Sequence, residues 1–446
     1  MSAMKNTNGM AMEAFSKAGD LHKRIIFTLV ALFLYRFGTF VPLPGINPDV
    51  LSDIFANSKN GLLNMFDTFA GGALSRMALL TLNIMPYISA SIIIQLGSSI
   101  FPSLIALKKE GETGMRKLNQ YTRYLTILIT ILQGYGIAVA MEAQTSAGGA
   151  PAVIMANTAL FRLTTVVSLL GGTFFVVWLG EQITARGVGN GTSLIIAAGI
   201  VAGIPAGFAK TFELSRVGQL SPALVIGILA LIVALIFIVV MMEQAQRRIV
   251  MQYPKGQQGT RLILGNTSYF PLKINPTGVM PPIFASALMM LPITVLQFIS
   301  NSSTEMSETI SVWMTRGSWL YLTLYGLCIA FFTFFYTGIV FNPTEAADNL
   351  KKNGGFIAGI RPGKSTAEYL DYVVTRLTVL GAFYLTAICV LPEVLISELS
   401  IPFYLGGTTL MIVVTVIMDT LTQIQSHLVA YQYESLIRKA QRRGHL

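Results

Sequence analysis

Residues Asn64 to Leu96 read NMFDTFAGGALSRMALLTLNIMPYISASIIIQL. From Ala78 to Ile100 the chain is long and apolar enough to be membrane-embedded. Pro86 interrupts this run, and Ser89, Ser91 and Gln95 seed it with polar groups. Ahead of it, Asn64–Arg76 is too short and too polar to span, carrying Asp67, the Gly71-Gly72 pair and Arg76. A spanning helix preceded by a half-apolar piece is the pattern of a segment folded back into a cavity. Irregular backbone at membrane depth is tolerated only where protein buries it or water lines it. The stretch therefore predicts a membrane protein with a central cavity.

Composition agrees. The 446 residues are 53% hydrophobic and 12% charged, against about 25% charged in soluble domains. Loops between apolar runs reach only about 30 residues, too few for a soluble domain of ~50–200. Cys328 and Cys389 lie inside apolar runs and read as small buried hydrophobes. His22, His427 and His445 are scattered and no HExxH occurs, so no metal site or cofactor is expected. Ile25–Phe40 follows Lys23-Arg24 but lacks a small-residue cleavage site, so it reads as a retained span.

A span needs ~20 mostly apolar residues. Ten candidates occur, at 24–41, 78–101, 122–142, 160–180, 192–209, 221–242, 279–299, 319–341, 376–396 and 404–427. With the N-terminus inside, twenty-four of the 31 Lys and Arg residues fall on inside segments, six fall outside and Arg36 lies within the first span. This asymmetry predicts cytoplasmic termini and accounts for most of the +10 net charge. Docking of an anionic partner such as ribosomal RNA is a second use for the basic loops.

Five spans on each side predict halves 1–220 and 221–446 of opposite orientation, with inside loops at 243–278 and 342–375. Span two has Pro86 near its start and span seven has Pro281-Pro282. Span five opens Gly191-Thr-Ser-Leu-Ile-Ile196 and span ten opens Gly407-Thr-Thr-Leu-Met-Ile412. Interrupted segments at matching places in inverted halves point to a functional site at the repeat interface. Ile84 and Ile88 are four apart, hence on one helix face. Ile196, Ile283 and Ile412 sit at comparable depths of roughly 6–15 Å, at 1.5 Å per residue. An isoleucine collar between two aqueous funnels would block ions by dewetting and close around something flexible. Isoleucine is also the ordinary filling of a membrane helix, and these residues alone do not separate the two readings.

Longer strings narrow the choice. They are Phe69-Ala-Gly-Gly-Ala-Leu-Ser-Arg76, Met85-Pro-Tyr-Ile-Ser-Ala-Ser-Ile-Ile-Ile-Gln95, Lys109-Glu-Gly-Glu112, Trp178-Leu-Gly-Glu-Gln-Ile-Thr184, Gly187-Val-Gly-Asn-Gly191, Gln246-Arg-Arg-Ile249, Phe341-Asn-Pro-Thr-Glu-Ala-Ala-Asp-Asn-Leu-Lys351, Gly359-Ile-Arg-Pro-Gly363 and Tyr433-Glu-Ser435. In this order, over nearly the whole length, the chain resembles the SecY family of protein-translocase channels. The resemblance implies an all-α membrane protein with ten transmembrane helices, in two inverted halves around an hourglass pore. It implies a plug at Asn64–Arg76 (Asn64, Asp67, Phe69, Gly71, Gly72 and Arg76) and a pore ring of Ile84, Ile88, Ile196, Ile283 and Ile412. Spans two and three facing seven and eight would form a lateral gate for signal sequences and membrane segments, with Ser89 and Gln95 as polar gate residues or packing groups. It implies no enzyme activity. Small SecE-like and SecG-like subunits are expected, with preproteins as cargo released across the inner membrane or into lipid. The SecA ATPase or a ribosome is expected on the cytoplasmic loops, at Arg361, Arg247, Arg248 and Arg261. Ala70 departs from a common plug serine, Asp67 adds a charge and Pro282 doubles a proline.

The physics fits such cargo. A translocating chain is chemically arbitrary, so its constriction needs a soft apolar gasket rather than hydrogen-bonding groups. Rival readings are weaker. Ala358–Ser365 approaches a phosphate-loop pattern, but no nucleotide-binding domain has room around it. Gly187-x-Gly-x-Gly191 reads as a turn. An ion-coupled small-solute transporter also uses inverted repeats, yet Arg36, Asp419 and His427 form no obvious cluster. An intramembrane enzyme would need a nucleophile–base or metal set that is not found.

Overall fold

The computed structural model describes residues 19–47, 50, 67, 70–142, 152–155, 157–218, 221–253, 256–258, 261–263, 267–299, 318–399 and 406–442. For 19, 210, 256–258, 261–263, 290–299, 396–399 and 432–442 it describes the backbone alone. In chain order the helices begin with α1 (Gly19–Gly38), α2 (Met85–Ile100), α3 (Pro102–Lys109), α4 (Glu112–Glu142), α5 (Thr158–Arg186), α6 (Gly191–Arg216) and α7 (Pro222–Gln244). Then come β1 (Gln246–Gln252), β2 (Gly256–Gln258), β3 (Arg261–Ile263) and β4 (Thr267–Lys273). They are followed by α8 (Met280–Ile299), α9 (Trp319–Val340), α10 (Pro343–Lys352), β5 (Phe356–Ile357), α11 (Lys364–Leu399) and α12 (Gly407–Arg442).

Among the described residues seven helices are long and apolar enough to cross a membrane, or eight with the pair α2–α3, which is bent by 96°. The ten expected spans are therefore not reached by length and composition. α1 carries Lys23, Arg24 and Arg36 over its 20 residues, and α8 has a described apolar piece of only Met280–Met289. The 96° bend falls at Phe101-Pro102, where proline removes a helical hydrogen bond and suits the first turn of the next helix.

The chain packs as two compact units. The first lies within Met1–Lys210, Thr294–Thr304 and Ile412–Leu446. There α4 packs on α5, α2 on α4 and α1 on α5. Its apolar core joins Leu43, Ile46, Leu74, Met77, Leu82, Ala138, Met141, Phe161 and Leu169, so the turn before α2 is built into that core. The Gly187–Gly191 turn knits three helices of this unit. The Val188 N–H donates to the Thr28 hydroxyl at 3.0 Å, and the Gly189 N–H donates to Gln423 Oε1 at 2.8 Å.

The second unit lies within Thr211–Ile293 and Glu305–Met411. Here α9 and α10 pack on α11. The sequence treats 243–278 and 342–375 as loops, whereas the structure makes an antiparallel sheet in the order β4-β1-β5. Ile249 and Met251 alternate inward along β1 and join Leu272, Leu350, Ile357, Leu370, Val373, Val374 and Leu377 in one core. The last four recur at helical spacing. Their burial extends α11 back to Lys364, ahead of the expected start of span nine at 376.

Candidate functional site

The site is built around the turn ahead of α2. The expected span 78–101 is helical only from Met85; residues 79–84 are turns. Pro86 has no N–H for the carbonyl four residues back, which disfavours a helix running on through it, and it suits a first turn. Asn83 takes a left-handed φ of +49°, a conformation asparagine tolerates better than most residues. The backbone here stays satisfied. The Leu43 N–H donates to the Met77 carbonyl at 3.0 Å and the Leu79 N–H to the Val41 carbonyl at 2.8 Å.

Of the expected plug residues, Asp67, Gly71, Gly72 and Arg76 are described, and Asn64 and Phe69 lie outside the described residues. Asp67 closes the turn on itself. Its carbonyl accepts from the Gly72 N–H at 2.8 Å, and its Oδ1 accepts from the Ser75 N–H at 2.8 Å. The Ser75 hydroxyl donates to the Gly72 carbonyl at 3.1 Å. Ala70, Ala73 and Ala78 form a small buried cluster. Gly71 has a φ of +68°, and a Cβ there would meet Gly199 Cα at 3.0 Å. Gly199 is three residues beyond Ile196 on α6, hence on the same face. The turn thus touches the helix that carries Ile196.

Burial raises the Asp67 carboxyl above its ordinary 3.8, opposed by the Ser75 and Leu74 hydrogen bonds and by Arg76. A raised acid stabilises the packed turn at low pH and loses that contribution as pH climbs through the raised value. Asp67→Asn keeps an acceptor for Ser75 without the buried charge. It is expected to tighten the turn at pH 7 and to flatten the acid dependence of resting conductance. A D67N conductance that falls on acidification as steeply as the parent's would refute this.

Ile84 is the N-cap of α2 and fully buried; its carbonyl accepts from the Ile88 N–H at 3.1 Å. Ile88, Ile196 and Ile412 are also buried, and these four fall in the first unit. Ile283 is buried on α8 in the second unit. Ser89 is buried on α2. Gln95 donates to the Ser91 hydroxyl at 3.2 Å, and its buried Oε1 has no hydrogen-bond partner. Such a polar atom facing apolar packing is costly.

Arg247 and Arg248 are exposed on β1. Arg361 is exposed after β5, following Ile360, which packs on the sheet core. The sheet therefore joins β1 and the segment after β5, far apart in sequence, in one packed element. Arg261 lies on β3, with its side chain outside the described residues. The phosphate-loop likeness at 358–365 follows a two-residue antiparallel strand, not the parallel sheet of a nucleotide fold. Sequence reasoning gave no role to Gly199. Arg36 reads along the chain only as a charge in a span.

The SecY family profile matches residues 78–421. The protein translocase subunit SecY of Rickettsia bellii is 49% identical over 427 residues, 95% of this chain and 98% of that one. A solved structure described as a protein conducting channel aligns with a TM-score of 0.69 at 17% identity, covering 92% of this chain and 93% of the other. Sec61 in the canine ribosome-channel complex aligns with a TM-score of 0.64 at 16% identity, covering 92% and 93%. With its interrupted second span, its turn packed against α6 and nearly half its residues shared along almost the full length of a translocase subunit, the chain belongs to the SecY family.

Proposed function

We infer that the chain forms a protein-conducting channel, closed at rest by a plug. The observation that carries this is the turn before α2. It is non-helical, closed by its own hydrogen bonds and seated on α6 one turn from Ile196. The described residues of 67–75 are held by hydrogen bonds within the turn and by packing on Gly199, contacts that suit a stopper that leaves when a chain passes.

The remaining parts follow from this reading. Ile84, Ile88, Ile196, Ile283 and Ile412 line the constriction, where buried apolar side chains seal without reading sequence. The halves 1–220 and 221–446 are inverted repeats of five spans each. Their seam opens sideways, with Ser89 and Gln95 on one lip, so that apolar segments partition into lipid. Both termini are cytoplasmic in the inner membrane, by the bias of Lys and Arg. Arg247, Arg248, Arg261 and Arg361 dock SecA or ribosomal RNA, and the canine relative was solved with a ribosome. SecE-like and SecG-like subunits complete the complex. The transporter reading loses a member of its charge set, because Arg36 bonds a backbone carbonyl.

Single cysteines at Ile84, Ile196, Ile283 and Ile412 are expected to crosslink to a stalled secretory precursor in membranes. Uniform failure of all four would overturn the pore assignment.

A further inference from the structure

Arg36 stands in the last turn of α1, where an apolar helix meets the turn before α2. A guanidinium at membrane depth is costly unless its donors are satisfied. Its Nη1 donates to the Gly71 carbonyl at 2.6 Å and lies 3.4 Å from the Thr39 hydroxyl oxygen. The Thr39 hydroxyl in turn donates to the Arg36 carbonyl at 2.6 Å, which tethers the end of the helix. The guanidinium carbon sits 4.9 Å from the Phe40 ring centroid, and that of Arg76 sits 4.3 Å from the same ring.

Gly71 is held from two sides. Arg36 bonds its carbonyl, and α6 leaves no room for a side chain, with Gly199 Cα at 3.0 Å from where a Cβ would stand. These are independent contacts on one residue of the turn. Arg76 adds opposition, since two cations over one ring repel each other. The closed arrangement thus depends on one charge-assisted hydrogen bond working against a like charge. Such a contact holds a seat and can still be released.

We propose that Arg36 is the positioning residue that latches the plug shut, through its bond to the Gly71 carbonyl, and that opening begins with loss of that bond. The proposal rests on the plug reading above. Arg36 touches no cargo in this role and acts only through the turn.

The test is resting ion conductance of the purified channel complex in planar bilayers. Arg36→Met is expected to shift the closed-to-open ratio of the plug roughly tenfold, the scale of one hydrogen bond to a charged group. Its conductance should approach that of a channel lacking residues 64–76. Arg36→Lys keeps one charged donor and should fall between the two. In the channel lacking 64–76, Arg36→Met should change nothing, because the latch has nothing left to hold. Raised conductance on deletion together with a parental value for R36M would overturn the latch alone. Unchanged conductance on deletion would overturn the plug reading as well. R36K indistinguishable from R36M would refute the donor role. Loss of folded R36M both with and without the plug would show a structural role instead and likewise overturn the proposal.

Discussion

Arg361→Glu is expected to stop SecA-driven export while folded channel accumulates at the parental level. The side chain is exposed. What holds the loop is its neighbours: Ile360 packs on the sheet core, and the Thr366 hydroxyl donates to the Arg361 carbonyl at 2.9 Å. Reversing the charge leaves both contacts in place, so the fold has no reason to respond. A docking partner has every reason to respond. Arginine hot spots typically carry at least about 2 kcal/mol of a binding interface, roughly 30-fold in affinity, and a glutamate adds repulsion from an anionic partner. Export of a secretory precursor into inverted vesicles reads the loss, and blotting of the membranes reads the channel level. Normal export by R361E would remove Arg361 from the docking surface.

Gly191→Ala is expected to damage the fold itself. The added Cβ would stand 1.9 Å from the Gly180 carbonyl oxygen and 2.9 Å from Ile183 Cβ. Backbone on α5 cannot swing aside as the end of a flexible side chain can. The start of α6 must shift, and it carries Ile196 and Gly199. The Gly191 N–H, which donates to the Thr184 hydroxyl at 2.9 Å, would be pulled from its partner. Overpacking of this kind costs about 1–3 kcal/mol and sometimes more, with a lost buried hydrogen bond in addition. Thermal unfolding in detergent should show a lowered midpoint, and resting conductance should rise as Gly199 moves from under Gly71. An unchanged midpoint for G191A would contradict the close approach of α5 and α6.

These two glycine contacts show where reading from sequence stops. The Gly187-x-Gly-x-Gly191 string reads as a turn, and the structure makes it one. Nothing in the string says that Gly189 bonds Gln423, 234 residues away. Likewise Pro86 marks an interruption, but the extent of the non-helical stretch from 79 to 84 depended on pairing with residues 41–43. The sheet β4-β1-β5 was illegible for a similar reason. Gln246–Gln252 is short and basic, and its strand character comes from partners at 267–273 and 356–357.

Hydropathy, proline placement and the Lys and Arg bias are local properties. They determined, from the chain alone, that this is a multi-span helical membrane protein with a broken second span. The motif strings added the family and its cargo. Tertiary structure decided what the broken span rests on. Arg36 is one charge in a span when read along the chain, because a hydrogen bond between residues 36 and 71 depends on how α1 and the turn fold back on each other. Only the folded backbone brings its guanidinium to Gly71 and sets Gly71 against Gly199.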